Sequence, residues 1–229
     1  MGIRSNDNDG SSFNFNNLAA LRNDPISALL WVNQYSGGGN PGAGGTLFSI
    51  WGGSDRAWRI SASDAPLEYR ARISTTGADQ LSLSSNTTIS LDRWYLVGMD
   101  YDGTDINFWL DGILDAGPGN QPGGLHASVL DLAIPGQDGG ADQIDASTAD
   151  ARVYNRILTP AEWLTIFTTQ GKDGIVEGLL FRSPQNDREP GTLVSAKSPI
   201  DVGPNKISFA GSFGAPVSNY EEGPGFGFK

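Results

Sequence analysis

The chain contains no cysteine and a single histidine, His126. Disulfides and thiolate metal sites are therefore excluded, and a His-rich metal centre or a Ser-His-Asp triad is a poor starting hypothesis. Basic residues are scarce, 15 against 26 acidic ones, for a formal net charge of −11. Such a surface repels polyphosphate, so no nucleic-acid partner is expected. It favours solubility and permits calcium without requiring it. No apolar run reaches ~18 residues, so no membrane span is expected, and the opening Met1-Gly2-Ile3-Arg4-Ser5-Asn6 lacks the apolar core of a signal peptide. Asn6 stands where a myristoylation signal wants Ser or Thr, so Gly2 is not a lipid-anchor candidate. A chain that starts this way is expected to be made in a cytoplasm.

What the sequence does have is 31 glycines and 13 prolines set between short apolar stretches, the signature of many strands joined by tight turns. The fold class is all-β, and 229 residues suit one large domain. Strand-like stretches run over 26–32, 46–51, 57–62, 67–73, 94–101, 106–110, 129–134 and 149–154. In 67–73 the apolar Leu67, Tyr69, Ala71 and Ile73 alternate with Glu68, Arg70 and Arg72, giving one buried and one polar face. Asp102-Gly103 suits a left-handed turn between two strands, and Asp111-Gly112 marks the next reversal. The one helix begins at Thr159-Pro160-Ala161-Glu162, where Thr159 caps, Pro160 loses no hydrogen bond and Glu162 completes a capping box; it should end near Gly171. Trp163, Ile166 and Phe167 share one face, which predicts a short helix that lies against the sandwich and plugs one end of its core. Residues 37–45 read as a glycine-rich loop, and six of the prolines fall between Pro184 and Pro224. The domain reading is a sandwich over 1–175 and a C-terminal extension over 176–229.

Asp92-Arg93-Trp94-Tyr95-Leu96-Val97-Gly98-Met99-Asp100-Tyr101-Asp102-Gly103, followed by Ile106-Asn107-Phe108-Trp109-Leu110-Asp111-Gly112, resembles the laminin G-like pattern of a tryptophan-led strand and an Asp-Gly hairpin. The stretch from Ala149 through Arg152-Val153-Tyr154-Asn155-Arg156 to Glu162 is similar to the family's closing strand and short helix. With Ser12 to Phe15 and Ile26 to Val32 as early strands, the resemblance covers residues 12–171. It implies a two-sheet antiparallel β-sandwich of the concanavalin A-like, laminin G-like jelly-roll kind, with ligand loops at one rim. Segments around 178–191 and 200–214 look like the part that usually opens such a domain. They either complete their own sandwich or lie on a neighbouring subunit.

Hydrolases on this sandwich resemble one another in a strand carrying two glutamates around an aspartate, because cleavage needs an acid and a nucleophile on one face. None of Glu68, Glu162, Glu177, Glu189, Glu221 and Glu222 stands at that spacing, so the chain is expected not to be an enzyme. Trp51, Trp58 and Trp109 compare with sugar-stacking platforms, core packing being the competing reading, and Trp51 ends a strand beside the flexible loop. Arg70 and Arg72 either receive an acidic partner or form a solvated stripe beside Glu68. Asp138, Asp142 and Asp145 in a glycine-rich loop either converge on calcium or remain solvated, and no cofactor is otherwise expected. Phe226 and Phe228 are candidate assembly contacts. His126 reads as an exposed loop residue, and the glycosylation triplet Asn86-Thr87-Thr88 has no consequence without a secretory signal. The expected role is a virion-surface interaction protein of a phage, made in the host cytoplasm, touching capsid or tail subunits and surface glycans as a homo-oligomer. The alternatives are an extracellular carbohydrate-binding module and, third, a glycan-active enzyme.

Overall fold

A computed structural model describes residues 2–5, 13–35, 45–64, 66–137, 144–184, 203–205 and 220–221. The strands are β1 (Gly2–Ser5), β2 (Phe13–Phe15), β3 (Ile26–Gln34), β4 (Thr46–Gly52), β5 (Asp55–Asp64), β6 (Leu67–Ile73), β7 (Leu81–Ser84), β8 (Trp94–Tyr101), β9 (Asp105–Leu110), β10 (Ile113–Asn120), β11 (Leu132–Ile134), β12 (Ala146–Tyr154), β13 (Leu179–Ser183) and β14 (Tyr220–Glu221). Among the described residues an α-helix, α1 (Pro160–Thr168), comes after β12, and a 3-10 turn spans Ala19–Arg22. An eight-stranded antiparallel sheet in the order β10-β9-β8-β3-β12-β1-β14, with β13 also on β12, packs on a six-stranded sheet in the order β2-β11-β4-β5-β6-β7. The architecture is the expected antiparallel jelly-roll sandwich.

Alternation decides which side of each strand meets the core. In β6, Tyr69, Ala71 and Ile73 are buried while Glu68, Arg70 and Arg72 stay partly exposed. In β8, Tyr95, Val97, Met99 and Tyr101 point into the main core with Phe48, Trp58 and Phe108. The hairpins obey their turn residues. β9 and β10 are joined by two residues, Asp111 at φ 51° and Gly112 at φ 80°, the double left-handed pair whose twist matches the strands.

The helix is capped as expected. The Glu162 backbone N–H donates to Thr159 Oγ1, and the Thr159 N–H donates to Glu162 Oε2 at 2.8 Å. It ends with a left-handed Gln170 and Gly171, whose N–H groups reach the carbonyls of Phe167 and Ile166. It lies against the sandwich as expected, but not as a plug at the end of the core. Trp163 does not plug the interior between the sheets. It lies on the outer side of the eight-stranded sheet in a separate apolar cluster with Leu29, Trp31, Leu96, Trp109 and Ile166. Trp163 stacks on Trp109 with ring centres 5.2 Å apart, and Phe167 stacks on Trp31 at 5.7 Å. Burying one indole removes roughly 200 Å² from water, on the order of 5 kcal/mol. Gly98 makes the approach possible, because a Cβ there would stand 2.3 Å from the Trp163 ring. Every residue of β3 is buried, and Leu29 and Trp31 are the ones that share the cluster of the helix.

A buried ionic clasp fastens the helix exit and β13 onto β12. Arg152 on β12 donates to Asp173 Oδ1 and Oδ2 at 2.9 Å each, to Asp150 Oδ2 and to the Gly171 carbonyl. Arg182 on β13 reaches Asp150 Oδ1 at 2.8 Å and the same Gly171 carbonyl at 2.7 Å. A Cβ at residue 171, itself at φ +76°, would stand 2.3 Å from Asp150 Oδ2. β13 pairs antiparallel with β12 through backbone and guanidinium contacts together.

Candidate functional site

The structure separates the residues singled out from the sequence. Trp58 is fully buried, its ring edge-on to Phe48 at 5.0 Å and its Nε1–H donated to the Leu21 carbonyl at 2.7 Å. It is a core residue and has no face to offer a sugar. Trp51 is 3% exposed, with the Arg56 and Arg59 guanidiniums 5.5 and 4.9 Å from its ring centre. Cations hold the place a pyranose would need, so this platform is also corrected. Arg70 and Arg72 do stand on the outward face of β6: Arg70 pairs with Glu68 at 2.6 Å, and Arg72 Nε donates to Ser82 Oγ at 3.2 Å.

Of the calcium candidates, Asp145 lies at the entrance to β12, where its backbone carbonyl accepts the Tyr35 N–H at 2.9 Å. Asp138 and Asp142 lie outside the described residues, as do Phe226 and Phe228. Among the described residues no group of three potential metal ligands is assembled. His126 is not a solitary loop residue: its Nε2 is 3.0 Å from Asp55 Oδ1, and Asp55 Oδ2 accepts the Val129 N–H.

A hollow of about 270 Å³ opens at the turn end of the β9–β10 hairpin, lined by Thr87, Thr88, Ser90, Arg93, Tyr95, Leu110, Asp111, Ile113 and Asp115. Two stretches build it: the β7–β8 connection running into the start of β8, and the β9–β10 hairpin around its turn. The turn fixes one wall. Asp111, held left-handed, accepts the Leu96 N–H on Oδ1 and Arg93 on Oδ2, both at 3.0 Å. Burial pushes the Asp111 carboxyl above its ordinary value, against the pull of the Leu96 N–H and Arg93. Arg93 lies 4.5 Å over the Tyr95 ring, yet its side chain is 60% exposed. The opposite wall hangs on Asp115. Its carboxylate accepts the Asn86 and Thr87 N–H groups and the Thr87 hydroxyl, while its carbonyl accepts the Asn86 side-chain amide. Ile113, 65% exposed, forms an apolar shelf.

Carboxylate acceptors, a guanidinium, hydroxyls that both donate and accept, and an apolar shelf together match a molecule with many hydroxyls and a few C–H faces. The volume suits a small ligand or the end of a longer one. Sequence reasoning missed this site. Asp111-Gly112 was legible as a turn and Asn86-Thr87-Thr88 as a triplet, but nothing in their spacing brings them together.

Residues 6–162 match the family described as the Concanavalin A-like lectin/glucanases superfamily. A comparison with curated protein sequences finds no match. Among solved structures the chain is similar to a protein from Bacteroides ovatus ATCC 8483 provisionally assigned as carbohydrate binding, with TM-score 0.64, 15% identity, and coverage of 95% of this chain and 61% of that one. It is similar to a heptameric SAP-like pentraxin from Limulus polyphemus, with TM-score 0.56, 15% identity, and coverage of 75% and 84%. It is also similar to Trypanosoma rangeli sialidase, with TM-score 0.52, 17% identity, and coverage of 75% of this chain but 28% of that one. At these identities the likeness concerns the fold.

Proposed function

From membership of the concanavalin A-like lectin/glucanase superfamily, to which this chain belongs, we propose that it is a non-catalytic carbohydrate-recognition module that holds a saccharide in the hollow between Thr87 and Asp115. The observation that carries the reading is the chemistry of that hollow: Arg93 and the Thr88 hydroxyl present donors, Asp111 and Asp115 present acceptors, and Ile113 supplies the apolar shelf. The provisional carbohydrate-binding assignment of the Bacteroides ovatus protein supports the same substrate class.

The non-catalytic part rests on how the two carboxylates are employed. Glycoside cleavage needs one carboxyl free to give a proton and another free to attack or to activate water. Asp111 is tied to the Leu96 N–H and Arg93, and Asp115 to two backbone N–H groups and a hydroxyl. Both are fixed as parts of a binding wall. A particle-surface or extracellular adhesin, the role expected from the sequence, would use the same hollow.

Binding is tested by glycan array followed by calorimetry on the best saccharide, with Arg93→Ala and Asp115→Ala. Each variant should weaken binding by about ten- to a hundredfold, one hydrogen-bonded charged contact being worth ~1.5–3 kcal/mol. Saccharide binding that neither variant alters, or no binding at millimolar concentrations across the array, would refute the site. Release of reducing ends from the bound glycan would refute the non-catalytic reading.

A further inference from the structure

Beneath the hollow lies a polar group that the fold does not employ. Tyr69 on β6 is wholly buried and meets Tyr95 of β8 edge-on, with ring centres 5.9 Å apart. The segment that walls the hollow is tied to β6 beside it. The Ser85 N–H donates to the Tyr69 carbonyl at 2.8 Å, the Ser85 hydroxyl to the Thr87 carbonyl at 2.9 Å, and the Ile89 N–H to the Leu67 carbonyl at 3.2 Å. The Tyr69 hydroxyl itself has no hydrogen-bond partner among the described residues. A buried hydroxyl left unpaired costs free energy, and phenylalanine would fill the same space without that cost. Burial first, then Tyr95 and Asp111, push this phenol well above its ordinary value, so at neutral pH it is an O–H donor. Tyr95 and Asp111 both line the hollow, and so does Leu110. The unspent donor therefore stands behind the inner wall of the hollow, near a carboxylate and an apolar side chain.

We propose that the hollow selects acetamido sugars: the acetamido carbonyl accepts the Tyr69 O–H, its N–H donates to Asp111, and its methyl lies against Leu110. The inference rests on the reading of the hollow as a saccharide site and adds the substituent that the site discriminates. An amide is a small neutral group that sets an acceptor and a donor side by side, which is what a phenol proton near a carboxylate requires. Asp111 has capacity for it. Its oxygens accept one N–H from Leu96 and one from Arg93, and a carboxylate offers about four lone-pair sites. The substituent enters past Tyr95, over whose ring Arg93 lies at 4.5 Å, held by one ion pair; Arg93 yields that position and turns to the ring hydroxyls of the sugar. A hexose with a plain hydroxyl at that carbon leaves Tyr69 unpaired. Sites built around a buried polar group reject analogues that lack its partner far more strongly than apolar pockets do.

The test is calorimetry of the full chain with methyl glycosides that differ only in one substituent: N-acetylglucosamine against glucose, and N-acetylgalactosamine against galactose. At least one acetamido sugar should bind about tenfold or more tighter than its hydroxyl counterpart. Tyr69→Phe should bring that ratio within roughly threefold, while its thermal midpoint stays at or above that of wild type because an unpaired hydroxyl has been removed. A Tyr69 that served packing alone would give the reverse, a lower midpoint and an unchanged ratio. Arg93→Ala should weaken both members of a pair and keep the ratio, which separates this inference from the reading of the hollow. A wild-type ratio below roughly threefold in both pairs overturns the selection of acetamido sugars and leaves the hollow standing wherever Arg93→Ala still weakens hexose binding. The inference is equally overturned if the folded Tyr69→Phe variant keeps the wild-type ratio, or if none of the four sugars binds at millimolar concentrations. Should Tyr69→Phe fail to fold, saturation-transfer NMR on wild type decides: irradiated aromatic protons should pass magnetisation most strongly to the acetyl methyl, and transfer confined to sugar ring protons overturns the proposal.

Discussion

Replacing Arg152 by methionine removes the centre of the clasp that holds β13 and the helix exit onto β12. Neither Arg152 nor Asp173 exposes any side-chain surface. Without the guanidinium, Asp150 keeps Arg182 at 2.8 Å, but Asp173 is left with the Ile175 N–H at 3.0 Å. Breaking a buried pair from one side strands a charge and costs ~3–5 kcal/mol. In a domain of this size ~1 kcal/mol lowers Tm by ~2–4 °C, so the midpoint should fall by roughly 6–20 °C. The effect depends on pH. Burial alone pushes the Asp173 carboxyl up, but hydrogen bonds from Arg152 and its charge outweigh burial and hold it below the ordinary value. A depressed carboxylate contributes stability that is complete above its unfolded value and is lost as pH falls through the folded one. In the variant burial is opposed by the Ile175 N–H without the guanidinium, the Asp173 value rises, and protonation relieves the stranded charge, so the gap between variant and wild type should narrow as pH falls toward the ordinary carboxylate range and below. Urea unfolding at pH 7 and pH 3.5 measures this. A second variant, Arg152→Met with Asp173→Leu, removes both charges and should recover most of the loss. A loss under ~1 kcal/mol at pH 7 with unchanged m-value, or a double variant no more stable than the single one, would refute the clasp as a source of stability.

Glu162 is held down to about 2, first by its hydrogen bonds from Arg156. Its contribution is therefore present above pH 4.5 and fades as pH falls toward about 2. Glu162→Gln should cost ~1 kcal/mol at pH 7 and flatten that part of the stability–pH curve, read by thermal melts; an unchanged curve would contradict the assignment. Gly98→Ala would set a Cβ 2.3 Å from the Trp163 ring. It should destabilise by ~1–3 kcal/mol and change tryptophan fluorescence, and Trp163→Leu in the same chain should return part of the loss. Trp51→Ala should cost ~3–5 kcal/mol in urea unfolding while folded protein keeps its affinity for the saccharide of the hollow. Lost affinity at unchanged stability would reinstate Trp51 as a sugar platform.

The parts of the fold legible in the sequence are those whose signal is local. Leu67 to Ile73 alternates with period two and forms β6 with the expected side inward. Thr159-Pro160-Ala161-Glu162 makes a cap from four consecutive residues, and the cap forms. What was not legible depends on which distant surfaces meet. The apolar stripe of α1 states that the helix is covered on one side, but not by what. The outer wall of the eight-stranded sheet supplies that cover, because Gly98 leaves room for Trp163 and Trp109 supplies a flat partner. Trp51 and Trp58 illustrate the same limit. An isolated tryptophan at a strand end is compatible with a platform or a core, and the choice rests on Phe48, Leu21, Arg56 and Arg59 arriving from elsewhere.

The hollow inherits its precision from the hairpin. Asp111 serves two purposes with one conformation: its left-handed backbone closes the turn, and that backbone aims the carboxylate at the Leu96 N–H and Arg93. The wall is thus part of a two-residue turn between paired strands, so little ordering remains for a ligand to impose. The two test residues differ for the same reason. Arg93 is largely exposed and joined to the wall by one ion pair and its Tyr95 ring contact, so removing it should weaken binding and leave stability nearly untouched. Asp115 anchors the Asn86–Thr87 segment through both carboxylate oxygens and its carbonyl, so removing it loosens the wall and should lower affinity and stability together. Affinity that falls in both variants while stability falls in one is the pattern of a ligand seated in this hollow, and a general loosening of the hairpin would lower the two quantities in step.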